Sequence, residues 1–434
     1  MARVRIAYLG GGSTRAPAVV LGLVERAAAF AGSEVALIDL DVERLDVIAR
    51  LGRRTAERAG ADIRFETHTD RRAGLRDADI VLSSFRPGGF EARHLDEAIP
   101  LAHGAVGQET QGAGGFFMAL RAVHAMRAVI ADMDAVCPDA VLVNYTNPVN
   151  VVAEAVSRHA GRPIISLCEG PIIFPREVAE AARLDPDGLD VEMIGLNHGS
   201  WSVRHLHDGE DLIAKLRAAR EGRRDDPTLT AQERRLLHMV DAFGAVPAQY
   251  FKYYLFEDEI VRELQAAAQT RAKEVMAAAP GYWDHYRAVA DGHEDALDRA
   301  RSRGGLDLLE IAVDVIDAIA NDRGEVWPVN VPNRGAIAGL PDDLVVEVPG
   351  LVDRHGARPL ASGAVPAPMR GLVGALAEYQ RLAADAAWHG GRREAVWALC
   401  ANPLVRTLPR AEALFDAMSA AHAAHLPARL GGTA

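Results

Sequence analysis

The sequence predicts an α/β protein, with a doubly wound, mostly parallel sheet followed by a mixed α+β region. Three patterns indicate this class. Through the first 195 residues, short apolar runs alternate with helical segments, which is typical of a parallel sheet covered on both faces. The first apolar run ends in three consecutive glycines, a pattern typical of a tight turn. Near residue 196, an alternating strand and charged helical segments replace this rhythm.

The strands of the first half are predicted where short apolar runs end in glycine, proline or polar residues. These runs cover residues 4–9, 34–38, 77–84, 140–145, 163–167 and 191–196. Helices are predicted over residues 18–29 and 119–133, from their apolar and amphipathic patterns. We therefore expect residues 1–195 to form a Rossmann-like domain.

The second half predicts antiparallel pairing and helices. Residues 202–206 alternate as a strand does, and Asp208-Gly209 is a hairpin-type turn. The remaining pattern predicts helices over 214–242 (with an exposed loop at 221–226), 262–279, 306–320, 370–388 and 393–400, a strand over 344–349, and a polar excursion over 281–303. We expect residues 196–434 to form an α+β domain, which gives the chain a lactate or malate dehydrogenase-like architecture.

The glycine turn after the first strand predicts dinucleotide binding. A strand, a glycine turn, a helix, a second strand and the acid Asp39 follow one another, and this layout lets a diphosphate approach a helix N-terminus. Asp39 would accept hydrogen bonds from a ribose hydroxyl, which favours NAD over NADP. Gly10 and Gly12 fit the fingerprint, but Arg15 stands at its third position. Arg15 either meets a phosphate or is a solvated residue at the start of the helix.

Two further strand ends deliver a thiol and an imidazole. Cys168 follows the run at 163–167, and His198 follows the run at 191–196. Ligands of open α/β sheets bind at the carboxyl ends of strands, and a thiolate with a neutral imidazole can hold a soft or borderline divalent metal. The alternative is a buried structural cysteine beside an unrelated histidine.

Other polar clusters also follow predicted strands. Arg86 and Arg93 flank a glycine turn and are suited to phosphate or carboxylate, although they could be solvated surface residues. The glycine-rich segment 107–115 suggests backbone approaching a ligand. Residues 144–148 offer amides for hydroxyl groups, or form an Asx-type turn before proline. The aromatic cluster at 248–254 is either core packing or the source of a tyrosine base.

Composition limits the class of partner. The 434 residues carry a net charge of −12 and no long basic run, which makes nucleic acid or an anionic membrane an unsuitable partner. The three cysteines are widely spaced, so we expect a reducing compartment rather than a disulfide framework. We find no signal peptide and no apolar run of the ~20 residues that span a bilayer, and we therefore expect a cytoplasmic protein.

The motifs, taken in order, resemble those of the family 4 glycoside hydrolases and, within that family, look most like the 6-phospho-β-glucosidases. The resemblance covers nearly the whole chain. Its motifs are residues 10–13, 85–93, 107–110, 144–148, Cys168 with Pro171, 195–198, 247–254, 331–337, 346–349, 370–372 and 402–404.

The resemblance implies a hydrolase that uses NAD⁺ and a divalent metal, usually Mn²⁺, on a phosphorylated or related glycoside. In the family, the sugar 3-hydroxyl is oxidised, a base removes the acidified C2 proton, and the aglycone leaves from C1. Water then adds back and the ketone is reduced. The resemblance also implies an NAD-binding domain at 1–195, a substrate and oligomerisation domain at 196–434, and a homodimer or homotetramer.

Site residues follow from the matching motifs. The resemblance implies that Cys168 and His198 are metal ligands and that Tyr250 is the C2 base, with Tyr253 and Tyr254 close enough to be alternatives. The remaining assignments are Asn147 for sugar hydroxyls, Arg93 with Ser13 for the 6-phosphate, and Gly10, Gly12, Ser13 and Asp39 for NAD.

Two departures from the family pattern concern specificity. The residue after the metal cysteine is usually Asn in β-active members and Asp in α-active ones, whereas here it is Glu169, beside the sugar. The usual aromatic-containing stretch after the glycines is replaced by Thr14-Arg15-Ala16. The same mechanism on an α-linked, galacto- or uronic-acid glycoside is therefore an alternative.

Two other classes share parts of this pattern. A simple NAD-dependent hydroxy-acid dehydrogenase has a similar layout but accumulates NADH, which the hydrolase regenerates. A non-catalytic NAD- or sugar-phosphate-binding regulator would not need Cys168, His198 and Tyr250.

Overall fold

The apolar runs of the first half form a parallel sheet in the computed structural model, which describes residues 3–223, 226–306 and 310–433. The strands in chain order are β1 (Arg5–Leu9), β2 (Ser33–Ile38), β3 (Ile63–His68), β4 (Ile80–Ser83), β5 (Val141–Asn144), β6 (Ile164–Ser166), β7 (Leu189–Leu196), β8 (Gly199–His207), β9 (Glu210–Asp211), β10 (Glu325–Pro332), β11 (Ile337–Ala338), β12 (Val345–Asp353), β13 (Gly356–Pro359) and β14 (Gly363–Ala364).

Helices lie between and after these strands. They are α1 (Ala16–Glu25), α2 (Val42–Ala59), α3 (Arg71–Leu75), α4 (Gly89–Ala102), α5 (Gly112–Val136), α6 (Val149–Ala155), α7 (Gly170–Ala181), α8 (Leu212–Gly222), α9 (Ala231–Phe243), α10 (Lys252–Leu255), α11 (Glu257–Ala266), α12 (Arg271–Asp291), α13 (Glu310–Ala320), α14 (Arg370–Trp388), α15 (Arg392–Ala401) and α16 (Leu408–Ala421).

One large sheet runs through both halves of the chain. Its order is β3-β2-β1-β4-β5-β6-β10-β12-β7-β8-β9, with β13 also paired to β12. The six strands from β3 to β6 are parallel, and the pairs after them are antiparallel. This architecture confirms the predicted class, a doubly wound parallel region followed by a mixed α+β region.

A single row of paired residues joins the two strands that precede the predicted metal ligands. Ser166 of β6 pairs with Asn330 of β10, Asn330 pairs with Glu347 of β12, and Glu347 pairs with Gly195 of β7. Residues from far along the chain therefore lie between the strand before Cys168 and the strand before His198.

Several predicted elements are wrong in extent. The helix expected over 262–279 is two helices, α11 and α12, because Ala267 is extended and the Thr270 side chain caps α12 by accepting the Lys273 N–H. The polar excursion expected over 281–303 is helical up to Asp291, where Trp283, Tyr286 and Val289 are buried. The prediction missed α4, β10 and α16, and β10 was concealed by its two prolines. Parts of the expected loop at 221–226 and helix at 306–320 lie outside the described residues.

Helix α5 is the core helix of the first half. By length and composition alone it could cross a membrane, but 78% of its most apolar window is buried inside the protein. It packs against α4 and α14. Its apolar character is therefore explained by burial within the fold.

Candidate active site

The glycine turn lies between the ends of β2 and β4. Gly10 has a φ of 95° and a side chain there would clash with the Ser84 carbonyl, so only glycine fits. The Gly12 N–H donates to Asp39 Oδ2 at 3.0 Å, which joins the turn to the acid at the end of β2. The Ser13 N–H donates to the Gly10 carbonyl at 3.0 Å. The structure thus brings Gly10, Gly12, Ser13 and Asp39 together.

The geometry of this turn fits a dinucleotide. The turn leads directly into α1, and no side chain caps the N-terminus of that helix. The free N–H groups of the first helical turn and its positive dipole end suit a diphosphate. The Asp39 carboxylate, which is half-exposed, suits a ribose.

Cys168 and His198 face each other across the end of the sheet. The Cys168 sulfur lies 3.7 Å from His198 Nε2. His198 sits in the tight turn between β7 and β8 with a φ of 60°, a left-handed conformation that is unusual for a residue other than glycine. The alternative of a cysteine and an unrelated histidine therefore does not describe the folded chain.

The loop between α4 and α5 orients the imidazole. Thr110 Oγ1 lies 3.0 Å from His198 Nδ1 and itself donates to the Gln108 side-chain carbonyl at 2.9 Å. The hydroxyl therefore accepts from Nδ1–H, and this tautomer presents the Nε2 lone pair towards Cys168. The longer contact from Gln111 Nε2 to Nδ1, 3.3 Å, is at the limit of a hydrogen bond.

Burial favours the neutral form of both the Cys168 thiol and the His198 imidazole. It raises the pKa of the Cys168 thiol, and the carboxylates of Glu347 and Glu169 raise it further. It lowers the pKa of His198 to about 3, so the imidazole is neutral at ordinary pH. A divalent cation would favour the thiolate and bind the neutral imidazole, which is the donor set that soft and borderline metals prefer.

The protein supplies few further ligands at this point. Within the described residues, no group of three or more His, Cys, Asp or Glu side chains could hold a metal. A metal held by Cys168 and His198 would therefore keep coordination positions open for substrate oxygens or water, as catalytic sites do. The residues present fit that role.

Of the three candidate tyrosines, Tyr250 is the one whose ring packs on His198. Its ring stacks on His198, with the centroids 3.6 Å apart and the planes 6° from parallel. Burial raises its pKa well above the usual value, whereas the positive charge of Arg15 lowers it. Tyr254 instead donates its hydroxyl to the Gln111 side chain, and Tyr253 lies beside Tyr250 with centroids 6.1 Å apart.

A polar cavity of about 220 Å³ opens beside Tyr250. Its lining includes Arg93, Glu97, Glu109, Tyr253 and Arg271. Arg93 is nearly buried; its Nε donates to Glu97 at 2.7 Å and its Nη1 lies 3.0 Å from Glu109. The reading of Arg93 as a solvated surface residue is therefore excluded.

Asn147 and Glu169 both follow strands of the parallel region, Asn147 after β5 and Glu169 after β6. Asn147 is half-buried after β5, and Glu169 immediately follows Cys168 and acts on the buried Tyr145, whose pKa is raised by burial and by the Glu169 charge. Neighbouring Asn144 has a structural role instead. Its amide accepts from Ser83 Oγ and donates to Ser166 Oγ, both at 2.8 Å, which ties β4, β5 and β6 together.

The structure adds residues that sequence reasoning did not assign. Thr110 and Glu109 lie in the segment 107–115, which the sequence predicts to approach a ligand. The glycine-rich pattern marked the segment but did not indicate what these two side chains do. Glu347 lies in the motif at 346–349. No sequence motif pointed to Arg303, which is the last residue of the stretch 281–303 that was expected to be a polar excursion.

Comparison with known proteins places the chain in a family. The model of the family 4 glycosyl hydrolases matches residues 5–184, and the model of the C-terminal domain of that family matches residues 193–405. A probable 6-phospho-β-glucosidase of Bacillus subtilis is 34% identical over 98% of this chain and 97% of its own length. A 6-phospho-α-glucosidase of Leptotrichia buccalis is 31% identical over 95% of both chains.

Solved structures agree over almost the whole chain. A 6-phospho-α-glucosidase from gut microorganisms, in complex with NAD and Mn²⁺, superposes with a TM-score of 0.87 at 28% identity and covers 98% of this chain and 99% of its own. The 6-phospho-β-glucosidase of Thermotoga maritima with NAD and glucose-6-phosphate gives 0.86 at 28% identity and the same coverage.

The wider fold also agrees with the sequence. A lactate dehydrogenase of Cryptosporidium parvum superposes with a TM-score of 0.56 at 13% identity over 89% of this chain and 99% of its own, which shows a shared fold and confirms the dehydrogenase-like architecture. The two family models, in contrast, match both halves of the chain. The chain is therefore a member of the family 4 glycosyl hydrolases.

Proposed function

We propose that this enzyme hydrolyses 6-phospho-β-glucosides and requires NAD⁺ and Mn²⁺ or another divalent metal. The observation that carries the proposal is the 3.7 Å distance between the Cys168 sulfur and His198 Nε2. Tyr250 stacks on the same imidazole and lines a cavity that also contains Arg93 and Arg271. Relatives and neighbours named as 6-phospho-β-glucosidases, and neighbours bound to NAD, Mn²⁺ and glucose-6-phosphate, support it.

In this reaction the cofactor would take and return a hydride at the sugar C3, and the metal would polarise the C3 oxygen. The turn of Gly10 and Gly12, with Ser13 and Asp39, would hold the cofactor. Cys168 and His198 would hold the metal, and Thr110 keeps the imidazole in the tautomer that this requires.

Tyr250 is our candidate for the base that removes the C2 proton. It lines the cavity and packs on the metal pair at the same time, which Tyr253 and Tyr254 do not. The positive charges of Arg15 and a bound metal would favour its ionised form. Departure of the aglycone from C1 and addition of water would then complete the hydrolysis.

The remaining residues would bind the glycoside. Arg93 presents a nearly buried guanidinium to the cavity and suits the 6-phosphate. Asn147 and Glu169 would contact the sugar from the strand ends beside the metal pair.

Glu169 supports one second candidate, the same reaction on a 6-phospho-α-glucoside. Its carboxylate stands next to Cys168, and the chain is about as similar to α-specific as to β-specific relatives. Assays must therefore include both anomers.

Three broader properties belong to the proposal. We infer a homodimer or homotetramer, which sedimentation would measure, and a cytoplasmic location, in keeping with the half-buried and buried free thiols of Cys137, Cys168 and Cys400. We also infer that residues 1–195 bind the cofactor, and that residues 196–434 make the oligomer contacts and add His198 and Tyr250 to the site, beside the substrate-facing groups of the first half.

Nitrophenol release from a 6-phospho-β-glucoside, with NAD⁺, Mn²⁺ and a reducing thiol, tests the function. Parallel samples omit each factor, add EDTA, or carry the α-anomer, the galacto- or uronic-acid analogue, or the unphosphorylated glucoside. We expect release that depends on both NAD⁺ and metal without net growth of NADH absorbance. Steady NADH growth on a hydroxy acid, with no release from any glycoside, would contradict the proposal.

A further inference from the structure

A buried carboxylate held by neutral donors lies in the sheet between the strands that precede Cys168 and His198. Glu347 of β12 is 1% exposed. Its hydrogen-bond donors are the Asn197 amide at 2.9 Å, the Ser200 hydroxyl at 2.8 Å and the Asn330 amide at 3.3 Å. Burying a carboxylate is costly, and such groups are usually paired with a basic side chain. A set of neutral donors therefore calls for an explanation beyond packing.

The donors Asn197 and Ser200 stand on either side of His198 in the sequence. Asn197 and His198 form the two-residue turn between β7 and β8. His198 has a φ of 60°, a conformation that is strained in a residue other than glycine and persists only where the surroundings hold it. Glu347 uses both carboxylate oxygens around this turn, Oε1 on the Asn197 amide and Oε2 on the Ser200 hydroxyl.

Asn330 extends the same network to the strand before Cys168. Its side-chain amide donates to Glu347 Oε1 and to the Ser166 carbonyl, each at 3.3 Å. Ser166 ends β6, two residues before Cys168. The network therefore joins the backbone that leads to Cys168 with the turn that carries His198.

The charge of Glu347 also acts on the thiol of Cys168. Burial raises the pKa of that thiol and the Glu347 carboxylate raises it further, whereas hydrogen bonds from the Gly170 N–H and the Asn197 side chain lower it. The Asn197 side chain thus acts on both the thiol and the carboxylate. A negative charge at this place favours a bound cation.

We propose that Glu347 is the positioning residue of the metal site. It holds the turn that carries His198 at the distance from Cys168 at which both side chains bind one divalent cation. The proposal rests on the proposed function, since that function makes these two side chains the metal ligands. Groups that orient metal ligands without touching the metal typically change its affinity by about 10- to 100-fold.

Mn²⁺ binding tests the proposal without catalysis. Metal-free enzyme, kept reduced and saturated with NAD⁺, would be titrated with Mn²⁺ at a fixed pH, and electron paramagnetic resonance would measure the free ion. We expect Ser200→Ala, which removes one hydrogen bond but keeps the carboxylate, to weaken Mn²⁺ binding about 10-fold. Glu347→Gln should weaken it about 10- to 100-fold, because the amide has one accepting oxygen where the carboxylate has two.

Ser202→Ala is the matched control. Ser202 is also a buried hydroxyl of β8, but it accepts from the Val246 N–H at 2.8 Å and contacts His205 Nδ1 at 3.1 Å instead of Glu347. We expect Ser202→Ala to lose a similar amount of stability in urea to Ser200→Ala, and to bind Mn²⁺ within twofold of the wild type.

The absorption spectrum of the Co²⁺-substituted enzyme adds a readout of the metal geometry. We expect the sulfur-to-cobalt charge-transfer band to change in Ser200→Ala and in Glu347→Gln. The same band should match the wild type in Ser202→Ala, because a loss of stability elsewhere in β8 does not move the metal ligands.

Three results would overturn the proposal. The first is Mn²⁺ binding within twofold of the wild type in both Ser200→Ala and Glu347→Gln. The second is an equal loss of affinity in Ser200→Ala and Ser202→Ala, which would assign the effect to a loosened β8. The third is Mn²⁺ binding that Cys168→Ser leaves unchanged, which would also refute the proposed metal ligands. A wild type that binds Mn²⁺ but releases no nitrophenol would refute the proposed function alone.

Discussion

At the scale of single residues, the half-buried ring of Tyr250 stacks on the buried ring of His198. Burial lowers the pKa of His198 to about 3 and raises that of Tyr250 well above its usual value. Burial therefore favours the neutral form of both rings. An added positive charge, such as a metal ion, would act with the charge of Arg15 to favour the phenolate.

We predict that Tyr250→Phe lowers kcat by about 10²- to 10⁴-fold, the usual contribution of a general base. NAD⁺ affinity should stay within twofold, because the ring stack remains. Exchange of the C2 proton with deuterated solvent measures the same step directly. Tyr253→Phe is the control, and a larger loss in that variant would move the base to Tyr253.

We predict that Mn²⁺ affinity rises with pH. The Cys168 thiol must lose its proton to bind the metal, and its raised pKa means that this proton is still present at neutral pH. The affinity, followed by the electron paramagnetic resonance signal of free Mn²⁺, should increase up to about tenfold for each pH unit between 6 and 9. Cys168→Ser should abolish tight binding, whereas Cys400→Ser should not. An affinity independent of pH would contradict this role of Cys168.

At the scale of elements, the row from Ser166 to Gly195 connects the strands that precede Cys168 and His198. Buried Glu347 stands in that row and accepts from Asn197 Nδ2 at 2.9 Å and Ser200 Oγ at 2.8 Å, which fixes the turn around His198. Burial raises the pKa of Glu347 to about 7. The hydrogen bonds that it accepts lower the pKa but offset this effect of burial only in part.

We predict that Glu347→Gln removes a pH dependence of stability in metal-free enzyme. Between pH 4.5 and 7 the folded protein keeps a proton on Glu347 that the unfolded chain has lost, so wild-type stability falls as pH rises through this window. The amide resembles the protonated acid and does not titrate. The difference in the free energy of unfolding, variant minus wild type, should grow with pH by up to about 3 kcal/mol.

Urea unfolding of both proteins at pH 5, 6, 7 and 8 measures the difference. Glu378→Gln, an exposed change on α14, is the control. A difference that is constant with pH would show that Glu347 does not titrate in this range.

We predict that Tyr286→Phe loosens residues 292–303, the segment that follows α12. The hydroxyl joins the Arg303 N–H to the Thr14 carbonyl, and its loss leaves two buried backbone groups without a partner. Stability should fall by about 1–3 kcal/mol, and hydrogen exchange should accelerate at Arg303. His285 also holds this segment, since its Nδ1 donates to Glu294 at 2.8 Å and its Nε2 accepts from the Asp298 N–H at 2.9 Å. Unchanged exchange at Arg303 would show that these His285 contacts hold the segment alone.

At the scale of the whole molecule, the chain does not divide cleanly at residue 195. Strands β10 and β12, from residues 325–353, lie between β6 and β7 in one sheet. One buried apolar cluster also includes residues of both halves, such as Ile6, Val143, Ile316 and Val346. Cooperative folding units follow such shared cores.

We predict a single thermal transition for the metal-free, NAD-free enzyme, coincident by near-ultraviolet and far-ultraviolet circular dichroism. A fragment of residues 1–195 should be insoluble or only partly folded, because it would expose the edge of β6 and the uncovered core. Two separate transitions would show instead that the halves fold as independent domains.

Local pattern was sufficient to predict most strands of the parallel region, the glycine turn and the positions of Cys168 and His198 at strand ends. Apolar periodicity and glycine turns act over a few residues, so they are readable along the chain. The sequence did not predict the break between α11 and α12, because the Thr270 cap that starts α12 lies within a continuous helical pattern. It also did not predict β10, because two prolines interrupt the pattern of that strand.

Contacts between distant residues decided the rest of the site. The 3.7 Å approach of Cys168 and His198, the stacking of Tyr250 rather than its neighbours, and the arrival of Arg303 beside Arg86 join positions 30 to more than 200 residues apart. Such distances depend on how β10 and β12 pack between β6 and β7, and on how residues 292–303 pack against the turn after β1. Packing of this kind leaves no periodic signal in the sequence, and only the folded chain reveals it.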